Sequence, residues 1–183
     1  MENRTNLSGD LLMFDVLRNR RSIRTYKDRE IEPEIIEQLK EAALRSPTSR
    51  NFRPWRFIFI TDKDKLEELS LAKTSGSSFL KGAHLGVVVC ADENESDVWV
   101  EDCSIASIIL QLSGQSLGLG SCWIQIRKRM HSDSQTSEDY VKGLFGLPEN
   151  MRVESVIAFG HPDEEKPPIP AGELKYDRIL SGF

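Results

Sequence analysis

Arg20-Arg21-Ser22-Ile23-Arg24-Thr25-Tyr26 places three arginines within five positions, beside a serine hydroxyl, in a chain whose net charge is −5. A local cationic cluster on an acidic protein points to a specific anionic ligand rather than to general affinity for polyanions. Guanidinium forks match phosphate in bidentate fashion, and a serine hydroxyl adds a short neutral contact. The competing reading is a solvated basic turn, and the arginines alone do not separate the two. The rest of the chain has to answer for them.

Its 183 residues suffice for one domain with a sizeable core. Hydrophobic residues make up 39% and charged residues 29%, a soluble globular balance, and no apolar run approaches the roughly 20 residues of a membrane span. Met1 to Asn6 lacks the apolar core of a signal peptide, so a cytoplasmic location is expected. Cys90, Cys103 and Cys122 are an odd set without CxxC spacing, and His84, His131 and His161 are scattered, so neither a disulfide framework nor a metal site is expected. The net charge and the lack of an extended basic face argue against nucleic acid.

Working outward from the arginines, residues 1–10 read as a flexible lead-in, and a helix is predicted from about Asp10 to Asn19 with Leu12, Met13, Val16 and Leu17 on one face. Pro33 opens a second helix striped by Ile35, Ile36, Leu39, Ala42 and Ala43 and stopped by Ser46-Pro47. The polar loop Ser46 to Trp55, bracketed by prolines, enters the strand Arg56 to Ile60. Thr61 or Asp62 caps a short helix. Leu85 to Ala91 is continuously apolar, as a strand buried on both faces should be. A long helix from about Val98 to Leu117 carries Ile105, Ile108, Ile109 and Leu112 among small residues, which suits a central helix or a subunit interface. Ser137 is expected to cap another short helix, and Val153 to Phe159 reads as the last core strand. After Gly160 the chain turns proline-rich, with Ile169, Leu174, Tyr176, Ile179 and Leu180 looking for something to lie across.

Gly118-Leu119-Gly120 invites a dinucleotide reading, but Trp123 stands where the third glycine of that fingerprint is needed. The glycines are better explained by a helix end and a close approach of backbone to a neighbour or ligand. Phosphate must then be met by side chains.

Four stretches together resemble the flavin-dependent nitroreductase family, in its order and spacing and over almost the whole chain. They are Arg20 to Tyr26, Ser46 to Phe57, Leu117 to Ile124, and Ala158-Phe159-Gly160-His161-Pro162. The resemblance implies an α+β fold with a central, mainly antiparallel sheet flanked by helices. It also implies one FMN-binding domain over residues 1–183 and a homodimer in which the tail, residues 161–183, is exchanged onto the partner. Carried over, Arg20 and Ser22 hold the FMN phosphate and ribityl chain, Arg21 is a further cofactor-binding residue, and Arg24 lies near the flavin N1–O2 edge. Pro47, Thr48, Ser49 and Asn51 reach the same flavin from the other subunit. Ser121, Cys122 and Trp123 line the glycine motif, Gln125 and Ile126 lie along the N5–O4 side with their backbone amides, and Lys166 meets the phosphate.

The chain makes two departures from larger relatives. Ser75 and Ser78 stand where an Asn and a Lys approach the ring, and Gln125-Ile126 replaces a Glu-Gly pair. Trp55 and Trp123 also read as core aromatics, Lys166, Arg50 and Arg53 as solvated charges, and Arg127-Lys128-Arg129 as an exposed basic turn or a contact for a pyridine-nucleotide phosphate. The implied activity is ping-pong transfer of hydride from NAD(P)H through flavin N5 to nitroaromatics, quinones or similar small acceptors. Reductive dehalogenation or another redox reaction on the same scaffold, or a non-catalytic FMN module, are the alternatives.

Overall fold

A computed structural model describes residues 13–180. The expected lead-in over residues 1–10, the start of the first helix and the last three tail residues lie outside them. Helix α1 (Met13–Asn19) leads into the arginine ribbon, and α2 (Pro33–Leu44) begins at its proline as predicted. Strand β1 (Trp55–Ile60) is followed by α3 (Lys63–Ser70), whose cap is Asp62, accepting the Lys65 N–H at 2.9 Å. Then come β2 (Leu85–Asp92), α4 (Trp99–Ser116), β3 (Gly120–Gln125), α5 (Ser137–Phe145) and β4 (Met151–Gly160). The cap of α5 is Thr136, one residue before the expected Ser137. Its hydroxyl accepts the Asp139 N–H at 3.0 Å, while Ser137 is buried. None of the described helices is long and apolar enough to cross a membrane.

The four strands form an antiparallel sheet in the order β1-β2-β4-β3, giving the expected α+β architecture. Alternate residues of β2 enter two cores. Leu85, Val87, Val89 and Ala91 pack with α2 and α4, while Val88 and Cys90 pack with α3 and α5. Both faces are covered, which is why β2 reads as an unbroken apolar run.

Helix α4 corrects the sequence reading. Its buried face is made of Cys103, Ala106, Ser107, Leu110, Gln111 and Gly114, so the small residues are what let it lie close on the sheet. Ile105 and Ile108 of the predicted stripe are instead exposed, at 38% and 39%. Met13, Phe14 and Leu17 of α1 are exposed as well.

The arginine ribbon is held against the open edge of β3. Ser22 bridges Ser121 in parallel, the Ile23 N–H donates to the Ser121 carbonyl at 2.9 Å, and Tyr26 bridges Pro162. Gly120 and Gly160 face each other across β3 and β4. A Cβ on Gly120 would come within 2.7 Å of Ile23, and one on Gly160 within 2.7 Å of the Tyr26 ring. The glycines therefore make room for the ribbon, joining three of the recognised stretches in one packing arrangement.

Candidate flavin site

Arg20, Ser22 and Arg24 lie along the ribbon that runs beside β3, the strand in which Cys122 is buried. Burial pushes the Cys122 thiol up in pKa, against the charge of Arg24, a hydrogen bond with Ser22, and the charges of Lys166 and Arg20. Four polar groups from the ribbon and the tail are thus within electrostatic reach of one thiol. The Lys166 ammonium donates to the Ser22 carbonyl at 2.7 Å, which places the predicted tail cation at the ribbon. Glu164 steadies the same corner. Its carboxylate accepts the Arg24 N–H at 2.5 Å and bonds Lys166 at 3.1 Å, and the Arg24 amide is the main reason its carboxyl is held below the ordinary range.

Lys73 is a residue that sequence reasoning missed. It comes from the loop after α3 and is half-buried, and burial lowers its pKa, as does repulsion from Arg129. It stands two positions before Ser75, where the chain departs from larger relatives. The Arg24 guanidinium lies 5.7 Å over the Phe79 ring, closing the group on that side.

Arg21 is placed apart from its neighbours. Its guanidinium donates to the Pro167 carbonyl, and it lines a cavity of about 530 Å³ with Ile23, Gln115, Gly118 and Lys166. In this arrangement Arg21 fastens the tail to the ribbon. Ser121 contributes its carbonyl to that fastening through Ile23 and is itself buried.

Trp123 and Gln125 face α4 and are tied together. Trp123 Nε1 donates to Gln125 Oε1 at 2.9 Å, and Gln125 Nε2 donates to Glu154 Oε1 at 3.1 Å and to the carbonyls of Glu154 and Arg127, each at 3.3 Å. The Gln125 side chain is therefore committed inward. Ile126 departs from the expectation that its amide meets the flavin edge, because its N–H and that of Arg127 both donate to the Glu154 carbonyl at 3.1 Å. A glutamine at position 125 is complementary to the Glu154 carboxylate behind it, where a glutamate would set two carboxyls together.

Glu154 is only 4% exposed, and burial raises its carboxyl above the ordinary 4.5, against the Gln125 hydrogen bond and the charge of Arg127. A group raised in this way binds its proton more tightly in the folded state, so its contribution to stability falls as pH climbs from the ordinary value through the raised one. Glu154→Gln should flatten that limb. Urea midpoints at about pH 4 and about pH 8 check it, the variant gaining on the parent only at the higher pH.

The loop holding Pro47, Thr48, Ser49 and Asn51 lies at the far end of α4. The Ser49 N–H donates to Asp102 in the first turn of that helix at 2.8 Å, whereas the ribbon packs on Gly120, just past its last turn. From Asp102 to Gly114 the helix rises about 18 Å. Within one chain the two groups of predicted residues do not converge.

The chemistry of these groups fits FMN: Arg20, Lys166 and the Ser22 hydroxyl are donors that would suit its phosphate, and Arg24 beside Phe79 is a cation that would suit its ring.

Comparison with known proteins agrees with this geometry. The nitroreductase family model matches residues 17–77 and 67–161. An FMN-dependent nitroreductase from Clostridium difficile R20291 superposes with a TM-score of 0.89 at 43% sequence identity, covering 92% of this chain and 98% of that one. A protein of Archaeoglobus fulgidus, provisionally named NADH dehydrogenase/NAD(P)H nitroreductase, is 40% identical over 151 residues, 80% of this chain and 83% of its own. The NADPH-linked FMN reductase of Bacillus subtilis is 27% identical over 195 residues, 92% of this chain and 74% of its own. The chain belongs to the nitroreductase family.

Proposed function

We propose that this protein is an FMN-dependent oxidoreductase that draws electrons from NAD(P)H and delivers them to nitroaromatic, quinone or similar small acceptors. The observation that carries the reading is the docking of the arginine ribbon on the edge of β3 with Lys166 bonded to its Ser22 carbonyl, in a chain of the nitroreductase family. When bound, FMN supplies the redox chemistry, accepting hydride at N5 and releasing electrons to the acceptor in a ping-pong sequence. The chain's task is placement and field. Arg20, Ser22 and Lys166 would hold the phosphate, Arg24 would favour negative charge on the reduced ring, and the Gln125–Glu154 pair ties the end of β3 to β4.

The second half of the site belongs to a partner. The loop around Ser49 does not reach its own chain's cation cluster, and the exposed apolar side chains of α1, α4 and the tail offer a surface for a second copy. A homodimer places one chain's loop on the other's flavin, with the whole chain acting as one FMN-binding domain.

Steady-state oxidation of NADPH and NADH with menadione or a nitrofuran as acceptor tests the activity. Turnover with both substrates varied should give parallel double-reciprocal lines, and a protein that binds FMN without turnover is a flavin-storage module instead. For the phosphate contact, Arg20→Ala should weaken FMN by one to two decades, from loss of a charge-assisted bond of about 1.5–3 kcal/mol. Riboflavin, which lacks the phosphate, should bind the variant as it binds the parent. Equal losses for the two ligands would move Arg20 off the phosphate.

A further inference from the structure

The reaction as proposed makes no use of Asp102, a carboxylate only 2% exposed in the first turn of α4. One of its oxygens accepts the Ser49 N–H at 2.8 Å and the other accepts the Ser96 hydroxyl at 2.9 Å. Ser96 in turn accepts the Val98 N–H at 3.3 Å. A buried carboxylate is costly unless hydrogen bonds meet it, and here one of the groups that does so is the amide of a surface loop.

That amide opens a turn in which Arg50, Asn51 and Arg53 have φ of 50°, 59° and 54°. None is glycine. Left-handed backbone is costly for L-residues, least so for asparagine, and it persists only where surrounding contacts over-determine it. Such contacts surround this turn. Asp102 holds the start of the turn, and Thr48 Oγ1 accepts the Arg53 N–H at 3.0 Å at its end. Asn51 Oδ1 accepts Arg53 Nε at 2.9 Å across the middle, while the exposed Arg50–Asp97 pair at 2.8 Å adds a contact that solvent weakens.

We infer that Asp102 is a positioning residue of the shared flavin site. Its buried carboxylate holds the Ser49 amide and so keeps Thr48, Ser49 and Asn51 in the shape that receives the partner's flavin. The inference rests on the reading that this loop completes the site across the dimer. Its benefit is preorganisation, since the strained shape is settled before the ligand arrives.

Asp102→Ala and Asp102→Asn test it, because the carboxamide oxygen of asparagine still accepts the Ser49 N–H and alanine does not. Two quantities are read: hydrogen exchange at the Ser49 amide in FMN-free protein, and the Kd for FMN and for riboflavin. Asp102→Ala should speed exchange about tenfold and weaken both flavins by about the same factor, with Asp102→Asn within about threefold of the parent. That pattern differs from Arg20→Ala, which spares riboflavin. Parent-like protection in Asp102→Ala overturns the inference, as does lost protection with both affinities unchanged, or an Asp102→Asn that falls as far as the alanine. If the alanine variant does not fold, Ser96→Ala removes the carboxylate's other partner and should move both quantities the same way by about threefold. Unchanged affinity in a variant of a flavin-binding parent overturns the role of Asp102 alone, whereas a parent that binds neither flavin overturns the site reading and this inference with it.

Discussion

A chain ending at Pro168 is expected to be monomeric and to lose FMN. The tail has two parts with different duties. Its first residues stitch the ribbon, with the Asp163 N–H donating to the Thr25 carbonyl at 3.0 Å, Glu164 and Lys166 bonded at the cation cluster, and the Pro167 carbonyl taken by Arg21. Beyond them the described residues form two short turns, Ala171–Glu173 and Tyr176–Arg178, with Ile169, Leu174, Tyr176, Ile179 and Leu180 exposed. Full burial of one such side chain contributes about 1.5–3 kcal/mol. Losing three of them at an interface weakens association by about a thousandfold or more. Sedimentation of the truncated protein with FMN present reads both consequences, and a truncated dimer that keeps its flavin would show that the tail does not pack on the partner. A chain ending at His161 also removes the stitch, so its ribbon should loosen further than that of the longer truncation.

The second large effect is expected at Gly120. Gly120→Val places new carbons where Ile23 Cγ2 and Cβ already lie 2.7 and 2.8 Å from an added Cβ. Neither Ile23 nor the β3 backbone can retreat without breaking the Ile23–Ser121 hydrogen bond, so the ribbon should lift from the sheet. Overpacking of this kind costs about 1–3 kcal/mol in stability. The flavin loses more, because Arg20, Ser22 and Arg24 are displaced together, and FMN affinity should fall by two decades or more, on the order of two charge-assisted contacts. Gly118→Ala is the matched control. Gly118 has φ 79° with nothing within 4 Å of an added Cβ, so alanine should cost about 1 kcal/mol of stability and leave FMN affinity alone. Thermal melts with flavin titrations on both variants separate the two roles, and similar flavin losses would mean that the glycines act only through the turn.

The contrast between these glycines shows what the sequence could convey. Their spacing excluded a dinucleotide fingerprint and suggested close approach, but it did not say which of the two is approached: Gly120 meets Ile23, far earlier in the chain, and Gly118 meets nothing. Helix α2 and the strands β1, β2 and β4 were legible because periodicity, the Pro33 start and unbroken apolar runs each follow from local burial. Helix α4 was misread at its faces. Its isoleucines carry the stronger periodic signal, yet the small residues make the contact with the sheet, and a pattern of size rather than hydropathy had to be read.

In the site, alternation along an extended ribbon was enough to bring Arg20, Ser22 and Arg24 together, and the same alternation sends Arg21 to Pro167. Lys73 left no trace in spacing, since it enters through a loop that turns at Gly76, whose φ is 79°. Asp102 was hidden for a different reason. An acidic residue in a first helical turn is ordinary, and its role depends on a loop amide 53 positions earlier in the chain.

The most direct test of the central claim, that cations from one chain and the Ser49 loop of another hold a single FMN, is a flavin titration of purified protein followed by absorbance and fluorescence. The account predicts yellow protein with quenched flavin fluorescence, saturating at one FMN per chain, bleached by NAD(P)H without oxygen, and losing its flavin on dilution as the dimer dissociates. Colourless protein that takes up no added FMN, or a stable monomer that binds FMN fully, would contradict it.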